Sequence, residues 1–194
     1  MENLNNNIWN AFKVIEKTYE GVEKMMAFCD EKAQSNGYES YNKKYLRYKS
    51  DIYIDGWYTQ GFIKIYVKGR IGDASVYDVY VMNINFFDEP KVYISKHFFA
   101  KSVSANISPN DYWLYDNPIG DMDKNEFETK FYETYSDLFV VIPKTGIKEK
   151  YYGFEKAIFK EFKISSITKD NIEEIVFGTF DLLNKIDESD GATC

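Results

Sequence analysis

One apolar stripe through the first 33 residues constrains the fold of this 194-residue chain more than any other feature. Its members recur at alternating spacings of four and three: Ile8, Phe12, Ile15, Tyr19, Val22, Met26, Cys29 and Ala33. This period predicts one amphipathic helix from about residue 6 to 35, capped by the asparagines at 5–7 and stopped at Asn36-Gly37. We expect the helix to lie across a sheet. A coiled-coil homodimer seam is the alternative, because the spacing also fits heptads.

Residues 45–100 change to an apolar period of two, which is typical of strands. Ile63, Ile65 and Val67 alternate with Lys64, Tyr66 and Lys68, so we expect a half-buried strand with the polar set outward. Runs at 76–87 and 92–99 complete an antiparallel meander, and residues 48–56 add a strand before it. The apolar run 138–142 lacks alternation, which predicts a strand covered on both faces.

The last third of the chain predicts mostly helices. Phe127, Phe131 and Tyr135 indicate a short amphipathic helix, residues 154–162 indicate another, and residues 112–115 indicate a short strand. Thr168 caps a final helix that runs to Ile186. The fold class is therefore α+β, with an antiparallel sheet of about five strands packed by long N- and C-terminal helices. We assign residues 1–186 to a single domain and 187–194 to a flexible acidic tail.

The residue inventory removes most catalytic constellations. The chain holds 17 Tyr, 15 Phe and 3 Trp but only one His and two Cys. A Ser-His-Asp system would have to use His97, and a clustered His/Cys zinc site cannot be assembled. On strand alternation His97 shares a face with Ser95, where a half-buried structural role is expected. No glycine-rich phosphate loop appears, so no cofactor is indicated.

Charge and cysteine content narrow the partners and the compartment. The net charge of −7 argues against duplex nucleic acid, since phosphate neutralisation needs clustered Lys and Arg. Two cysteines form no disulfide framework, which favours a reducing cytoplasm. No apolar run approaches the roughly 20 residues of a membrane span, and the first residues do not resemble a signal peptide. The abundance of Lys, Asn, Ile and Tyr suggests a bacterial or phage genome.

Two acidic patterns raise the possibility of metal chemistry. Glu89-Pro90-Lys91 and Glu161-Phe162-Lys163 each carry a Glu-x-Lys dyad, which in restriction-endonuclease-like nucleases combines a metal-binding carboxylate with a charge-stabilising lysine. Asp78, upstream of the first dyad, would complete a set of Asp78, Glu89 and Lys91. In a chain with 28% charged residues, however, such dyads arise by chance. The segment from Asp121 resembles the start of a calcium loop but lacks its glycine and its final glutamate, so we assign no metal site.

One basic segment is the preferred binding-site candidate. Tyrosines and cations are interleaved in it: Tyr41, Lys43, Lys44, Tyr45 and Arg47. Aromatic faces beside cations can stack a base and hold a phosphate, and the outward Lys64, Tyr66 and Lys68 would extend the surface. The structural alternative is that the tyrosines pack on the first helix while the lysine stems reach water.

These observations favour a non-catalytic, acidic, cytoplasmic protein that occludes a protein partner, as immunity proteins and phage-encoded inhibitors of host defence do. Aromatic anchors and negative charge suit such an interface, with a partner that presents a basic surface. The enzyme alternative is a metal-dependent nuclease or phosphodiesterase. The third hypothesis is a sponge or sensor for small nucleotides built on the basic segment.

Overall fold

The computed structural model describes residues 2–48, 59–69, 71, 78–87, 89–100, 110–120, 125–132 and 135–191, with side chains described between residues 4 and 186. In chain order the elements are α1 (Glu2–Ala33), β1 (Tyr38–Ser40), β2 (Leu46–Arg47), β3 (Gly61–Lys68), β4 (Asp78–Asn85), β5 (Lys91–Phe99), α2 (Tyr112–Asp116), β6 (Phe127–Tyr132), β7 (Tyr135–Pro143), β8 (Phe154–Lys163) and α3 (Thr179–Gly191).

The eight strands form one antiparallel sheet in the order β1-β3-β4-β5-β8-β7-β6, and β2 also pairs with β3. The α+β class is confirmed, but the prediction of about five strands was wrong. The predicted meander is confirmed as β3, β4 and β5, which are hydrogen-bonded neighbours. The strand predicted at 48–56 falls almost wholly outside the described residues.

Two segments predicted as helices are strands. Phe127 and Phe131 lie on β6, and the predicted helix at 154–162 is β8, which pairs with β5 and β7. The spacing of four explains the error, because residues i and i+4 share a face in a strand as well as in a helix. The predicted strand at 112–115 is instead the short helix α2. The run 138–142 is the centre of β7, but Ile142 is exposed, so the expected cover on both faces is incomplete.

Helix α1 has two halves with different surroundings. It is 32 residues long, roughly 48 Å at 1.5 Å per residue, and begins earlier than the predicted asparagine caps. Its second half packs Val22, Met26 and Cys29 on the sheet. A 3-10 turn, Gln34–Asn36, continues the helix, and Gly37 ends that turn with φ of 80°, at the stop that the sequence predicts. Its first half, residues 4–17, is exposed throughout. The predicted core helix is therefore half core and half surface.

The centre of the sheet is buried on both faces. One face carries Tyr66, Met82 and Ile94, which pack on α1 and on the C-terminal helical segment, residues 168–191. The other face carries Ile65, Val81 and their neighbours, which pack beneath α2 and Tyr151. Strand β3 is consequently buried from Gly61 to Val67, and its prediction as a half-buried strand was wrong.

The C-terminal helical segment differs from a simple α-helix. Thr168 lies at its start, as predicted, where its carbonyl accepts a hydrogen bond from the Ile172 amide at 3.0 Å. A π-helical turn, Glu174–Gly178, follows and leads into α3, which continues to Gly191. The predicted tail boundary at 187 thus falls inside a helix, and residues 192–194 lie outside the described chain. None of the helices in the described ranges has the length and apolarity that crossing a membrane requires.

Substitution of Gly61 on β3 tests how closely α2 packs on that strand. A Cβ at this position would overlap the Tyr112 hydroxyl oxygen, and that hydroxyl donates to Asp116 Oδ1 at 3.1 Å. We expect Gly61→Ala to lower the free energy of unfolding by about 1–3 kcal/mol through overpacking. Gly21→Ala is the matched control, since its Cβ meets nothing within 4 Å and alanine favours a helix. Urea unfolding of both variants measures the difference; equal stabilities would mean that α2 does not press on β3.

Candidate functional site

The predicted basic segment lies at one edge of the sheet. β1 and β2 both pair with β3, and residues 41–45 bulge out between them. Asn42 holds the bulge from inside, because its Oδ1 accepts a hydrogen bond from the Ile65 amide at 3.0 Å. Lys43 and Lys44 are exposed on the outside of the bulge.

The two tyrosines of this segment do not form one stacking surface. Tyr41 packs into the core beneath α2, whereas Tyr45 packs on the opposite face, with its ring centroid 5.6 Å from that of Phe62. Arg47 is exposed on β2, at the sheet edge. A base stacked on one tyrosine would be separated from the other by the sheet. The arrangement favours the structural role over the nucleotide site.

The prediction that Lys64 and Tyr66 face outward was wrong, and only Lys68 is exposed. The Lys64 ammonium lies 2.7 Å from Asp30 Oδ2 on α1 and donates to the Asn42 carbonyl at 2.9 Å. Tyr66 is fully buried beneath the C-terminal helical segment. Alternation marks two different faces but does not say that one of them meets water, and here α1 covers the face that carries both residues.

A second buried lysine lies on the same face of the sheet. Lys96 on β5 is 3.2 Å from Asp78 Oδ2, donates to Asn184 Oδ1 at 3.1 Å, and lies over the Phe98 ring at 4.7 Å. Because both buried lysines are paired and hydrogen-bonded, they join the helices to the sheet without an isolated charge. This role occupies Asp78, one of the three predicted nuclease residues.

The predicted nuclease residues are not brought together. Asn85 is the β4 residue opposite Lys91, and Asp78 lies seven residues away along β4, roughly 23 Å at the rise of a strand. Asp78 also faces the helices. The two Glu-x-Lys dyads instead neutralise each other, with Lys163 3.1 Å from Glu89 and Lys91 3.3 Å from Glu161. Within the described residues, no three His, Cys, Asp or Glu side chains converge to hold a metal ion.

A cleft of about 960 Å³ opens on the other face of the sheet. Its floor holds Tyr93, Phe159 and Phe139, with the last two rings stacked at 5.0 Å. Polar groups surround this floor: Asn85, Glu89, Lys91, Asn117, Glu128, Thr129, Lys144 and Glu161. The described lining includes neither histidine nor cysteine, and its charges are of both signs. The cleft is therefore a candidate binding surface, and its described lining does not suggest a catalytic nucleophile with an adjacent base.

Polar groups buried beside α2 are structural in their geometry. Asp116 is fully buried and accepts hydrogen bonds from Asn83 Nδ2 at 2.8 Å and from the Tyr112 hydroxyl. Burial raises the pKa of this carboxyl, against the lowering effect of its two donors. His97 shares a strand face with Ser95, as predicted, but it is completely buried, with Nε2 3.1 Å from Ser95 Oγ. These groups attach α2 to the sheet, and neither Asp116 nor His97 lines the cleft.

The exposed first half of α1 presents the largest run of apolar side chains on the described surface. Four of them form the docking stripe: Leu4 is 62% exposed, Ile8 48%, Phe12 66% and Ile15 37%. The stripe continues the same helix face that is buried from Val22 to Ala33. Sequence periodicity found Ile8, Phe12 and Ile15 but assigned them to the core, because a period reports the face and not what covers it.

The docking stripe is also free of charge along most of its length. Residues 4–12 carry no charged side chain, and the first charge beyond them, Lys13, lies 2.7 Å from Glu16. An amphipathic helix that binds anionic membranes needs a cationic polar face, which this half lacks. The chemistry instead suits an apolar groove.

Comparison of the chain with protein-family models, with curated proteins and with solved structures finds no match in any of the three.

Proposed function

We propose that this chain is a non-catalytic binding protein that occludes a groove of a partner protein with the first half of α1. The observation that carries the proposal is the docking stripe, whose four side chains are exposed although the same helix face is core further along. Anchors spaced four and three residues apart are the pattern by which amphipathic helices enter grooves. Burying one such side chain contributes about 1.5–3 kcal/mol.

The charge distribution of the chain indicates what kind of partner surface would bind it. The chain carries a net charge of −7, while the docking stripe itself is neutral over residues 4–12. A groove that is apolar inside and rimmed by Lys or Arg would match both features, with the rim increasing the rate of encounter. Immunity proteins and phage-encoded inhibitors act by this kind of occlusion, and we place this protein in that functional class.

We also propose that the protein acts in a reducing cytoplasm. Cys29 is a free, buried thiol, and burial raises its pKa to about 12, so it is unreactive at neutral pH. Its role is apolar packing between α1 and the sheet. This chemistry is compatible with a compartment in which disulfides are rare.

Phe12 and Val14 form a matched pair for testing the proposal. They are 66% and 64% exposed on the same helix, but 200° of helical rotation separates them. A photo-crosslinking residue placed at each position in cells of the natural host should capture one protein at position 12 and not at position 14. With that protein purified, Phe12→Asp should weaken its binding about 100-fold by calorimetry, since it removes a buried anchor and buries a charge. Val14→Asp should change the Kd less than threefold.

The outcomes separate the alternatives. Equal weakening by Phe12→Asp and Val14→Asp would contradict docking by the stripe. Capture of a second copy of this chain at position 12 would replace the occluding role by the coiled-coil homodimer predicted from the heptad spacing. Both substitutions are on the exposed half, so thermal unfolding should give the two variants similar melting temperatures, which confirms that binding and not folding was changed.

A further inference from the structure

Strand β6 is an open edge of the sheet. It ends the strand order, and in the described part of the chain it pairs only with β7. Residues 128–131 are exposed, including Phe131, which is 67% exposed. An edge of this length with an exposed aromatic residue is a template for another strand.

The opposite edge is built differently. It consists of β1 and β2, which are three and two residues long and separated by the bulge that carries Lys43 and Lys44. Short strands, bulges and lysines are the devices that prevent pairing at a sheet edge. β6 is six residues long, its register irregularity falls at its end, between Phe131 and Tyr132, and its lysine, Lys130, is paired with Glu128 at 3.2 Å.

The backbone groups of β6 that face outward can be assigned from the ladder. The Lys144 amide donates to the Glu126 carbonyl at 2.9 Å, which makes 126 and 144 a hydrogen-bonded pair. Such pairs alternate with non-hydrogen-bonded ones in antiparallel sheets, so Glu128 and Lys130 bond to β7. The N–H and C=O groups of Phe127, Thr129 and Phe131 therefore point to the open edge.

The side chains of β6 are self-complementary about Thr129. We propose that β6 pairs antiparallel with β6 of a second copy, with Thr129 opposite its counterpart. Glu128 then lies opposite Lys130 of the second copy, and Phe127 lies opposite Phe131. Both relationships occur twice because the pairing is symmetric. Opposite charges and aromatic rings are the cross-strand pairs that stabilise antiparallel sheets.

Geometry makes the two kinds of pair mutually consistent. Residues 127, 129 and 131 have outward backbone groups, so their pairs exchange about six hydrogen bonds across the interface. Glu128 and Lys130 then occupy the non-hydrogen-bonded pairs, in which side chains approach most closely. Phe131 already stands in a row of rings, 4.9 Å from Phe139, which is 5.0 Å from Phe159. The second copy continues this row from the sheet edge.

The pairing gives a weak dimer with two docking helices. One six-residue edge buries less area than a permanent dimer needs, so we expect a Kd on the order of micromolar. In each copy α1 packs beside β1, at the other end of the strand order, roughly 29 Å of sheet from β6. A dimer through β6 leaves both docking stripes open and makes the protein bivalent, which goes beyond the occlusion of one groove.

Charge-swap variants test the register directly. Sedimentation equilibrium of the full chain between about 1 and 300 µM should show a wild-type dimer. Glu128→Lys and Lys130→Glu should each weaken it at least 10-fold, because like charges then face each other. An equimolar mixture of the two variants should recover the dimer, since every Lys then faces a Glu. Thr129→Pro should abolish it by removing an outward donor while leaving the ladder to β7 intact.

Two controls keep the result independent of folding and of α1. Glu128 and Lys130 are exposed, so the two charge-swap variants should unfold at temperatures similar to that of the wild type. Phe12→Asp should leave the dimer unchanged, whether or not the docking stripe binds a partner. The proposal is overturned by a wild-type protein that stays monomeric at 300 µM, by a mixture that does not recover, or by a dimer that Phe12→Asp dissociates.

Discussion

Replacing Phe180 by alanine should lower the free energy of unfolding by about 3–5 kcal/mol. Phe180 is fully buried, and its ring centroid lies 5.1 Å from Tyr80, 5.3 Å from Tyr38, 5.8 Å from Phe177 and 5.9 Å from Tyr66. It is the ring that joins β1, β3 and β4 to the C-terminal helical segment. Truncation leaves a cavity that the rigid tyrosines cannot collapse into, because Tyr38 is held by a hydrogen bond to Asp181 at 2.8 Å.

Phe12→Ala is the matched control for this variant. It removes the same atoms from a ring that is 66% exposed, so its effect should stay within about 0.5 kcal/mol. Urea unfolding followed by tyrosine fluorescence and by circular dichroism gives both values. A loss below 1 kcal/mol for Phe180→Ala would mean that the C-terminal segment does not pack on the sheet as described.

The parts of the fold that the sequence predicts correctly are those fixed by local contacts. The meander of β3, β4 and β5 needs only alternation and short connections, and both are visible in the chain. The stop of α1 at Gly37 needs a residue that tolerates positive φ, which is also local. In contrast, β8 lies between β5 and β7. No local pattern in residues 154–163 predicts which strands they pair with.

Burial of charged residues is the second property that local pattern cannot supply. Lys64 and Lys96 stand at alternating positions, where a lysine indicates solvent, yet both are buried because Asp30 and Asp78 meet them there. Asp30 lies on α1, far from Lys64 in the sequence. Asp78 reaches Lys96 only because β4 pairs with β5. The error at Lys64 in the predicted surface of β3 follows from this cause.

The predictions for the candidate site were also limited by what local sequence can show. Tyr41 and Tyr45 are four residues apart, but the bulge between β1 and β2 sends them to opposite faces, so proximity in the chain did not give proximity in space. Phe12 and Ile15 were identified by their period and misplaced in the core. The self-complementary segment of β6 was missed because it was interpreted as a helix, in which Glu128 and Lys130 would not share a face.

Acidification should destabilise the protein through His97, its only histidine. Burial lowers the pKa of the His97 imidazole to about 3, whereas an unfolded chain titrates near 6.5. Between these values the unfolded state binds a proton that the folded state excludes, so stability is lost as the pH falls from about 6.5 to 3. The full effect is about 4–5 kcal/mol, of which about 3 kcal/mol is reached by pH 4. The folded state offers no compensation, because the imidazole is packed against the Phe154 ring at 5.6 Å and its described neighbours carry no negative charge.

His97→Gln isolates this contribution, because every other titrating group is shared by the two proteins. Asp116 acts in the opposite direction, since its raised pKa favours the folded state as the pH falls, and it cancels in the difference. Between pH 7 and pH 4 the free energy of unfolding should therefore fall by about 3 kcal/mol more for the wild type than for the variant. Urea titrations of both proteins at the two pH values measure this difference. The single imidazole also gives one set of ring-proton NMR signals, which should not shift between pH 8 and pH 5 while the protein is folded. A signal that titrates with a midpoint near 6.5 would place His97 in contact with water and remove the predicted acid sensitivity.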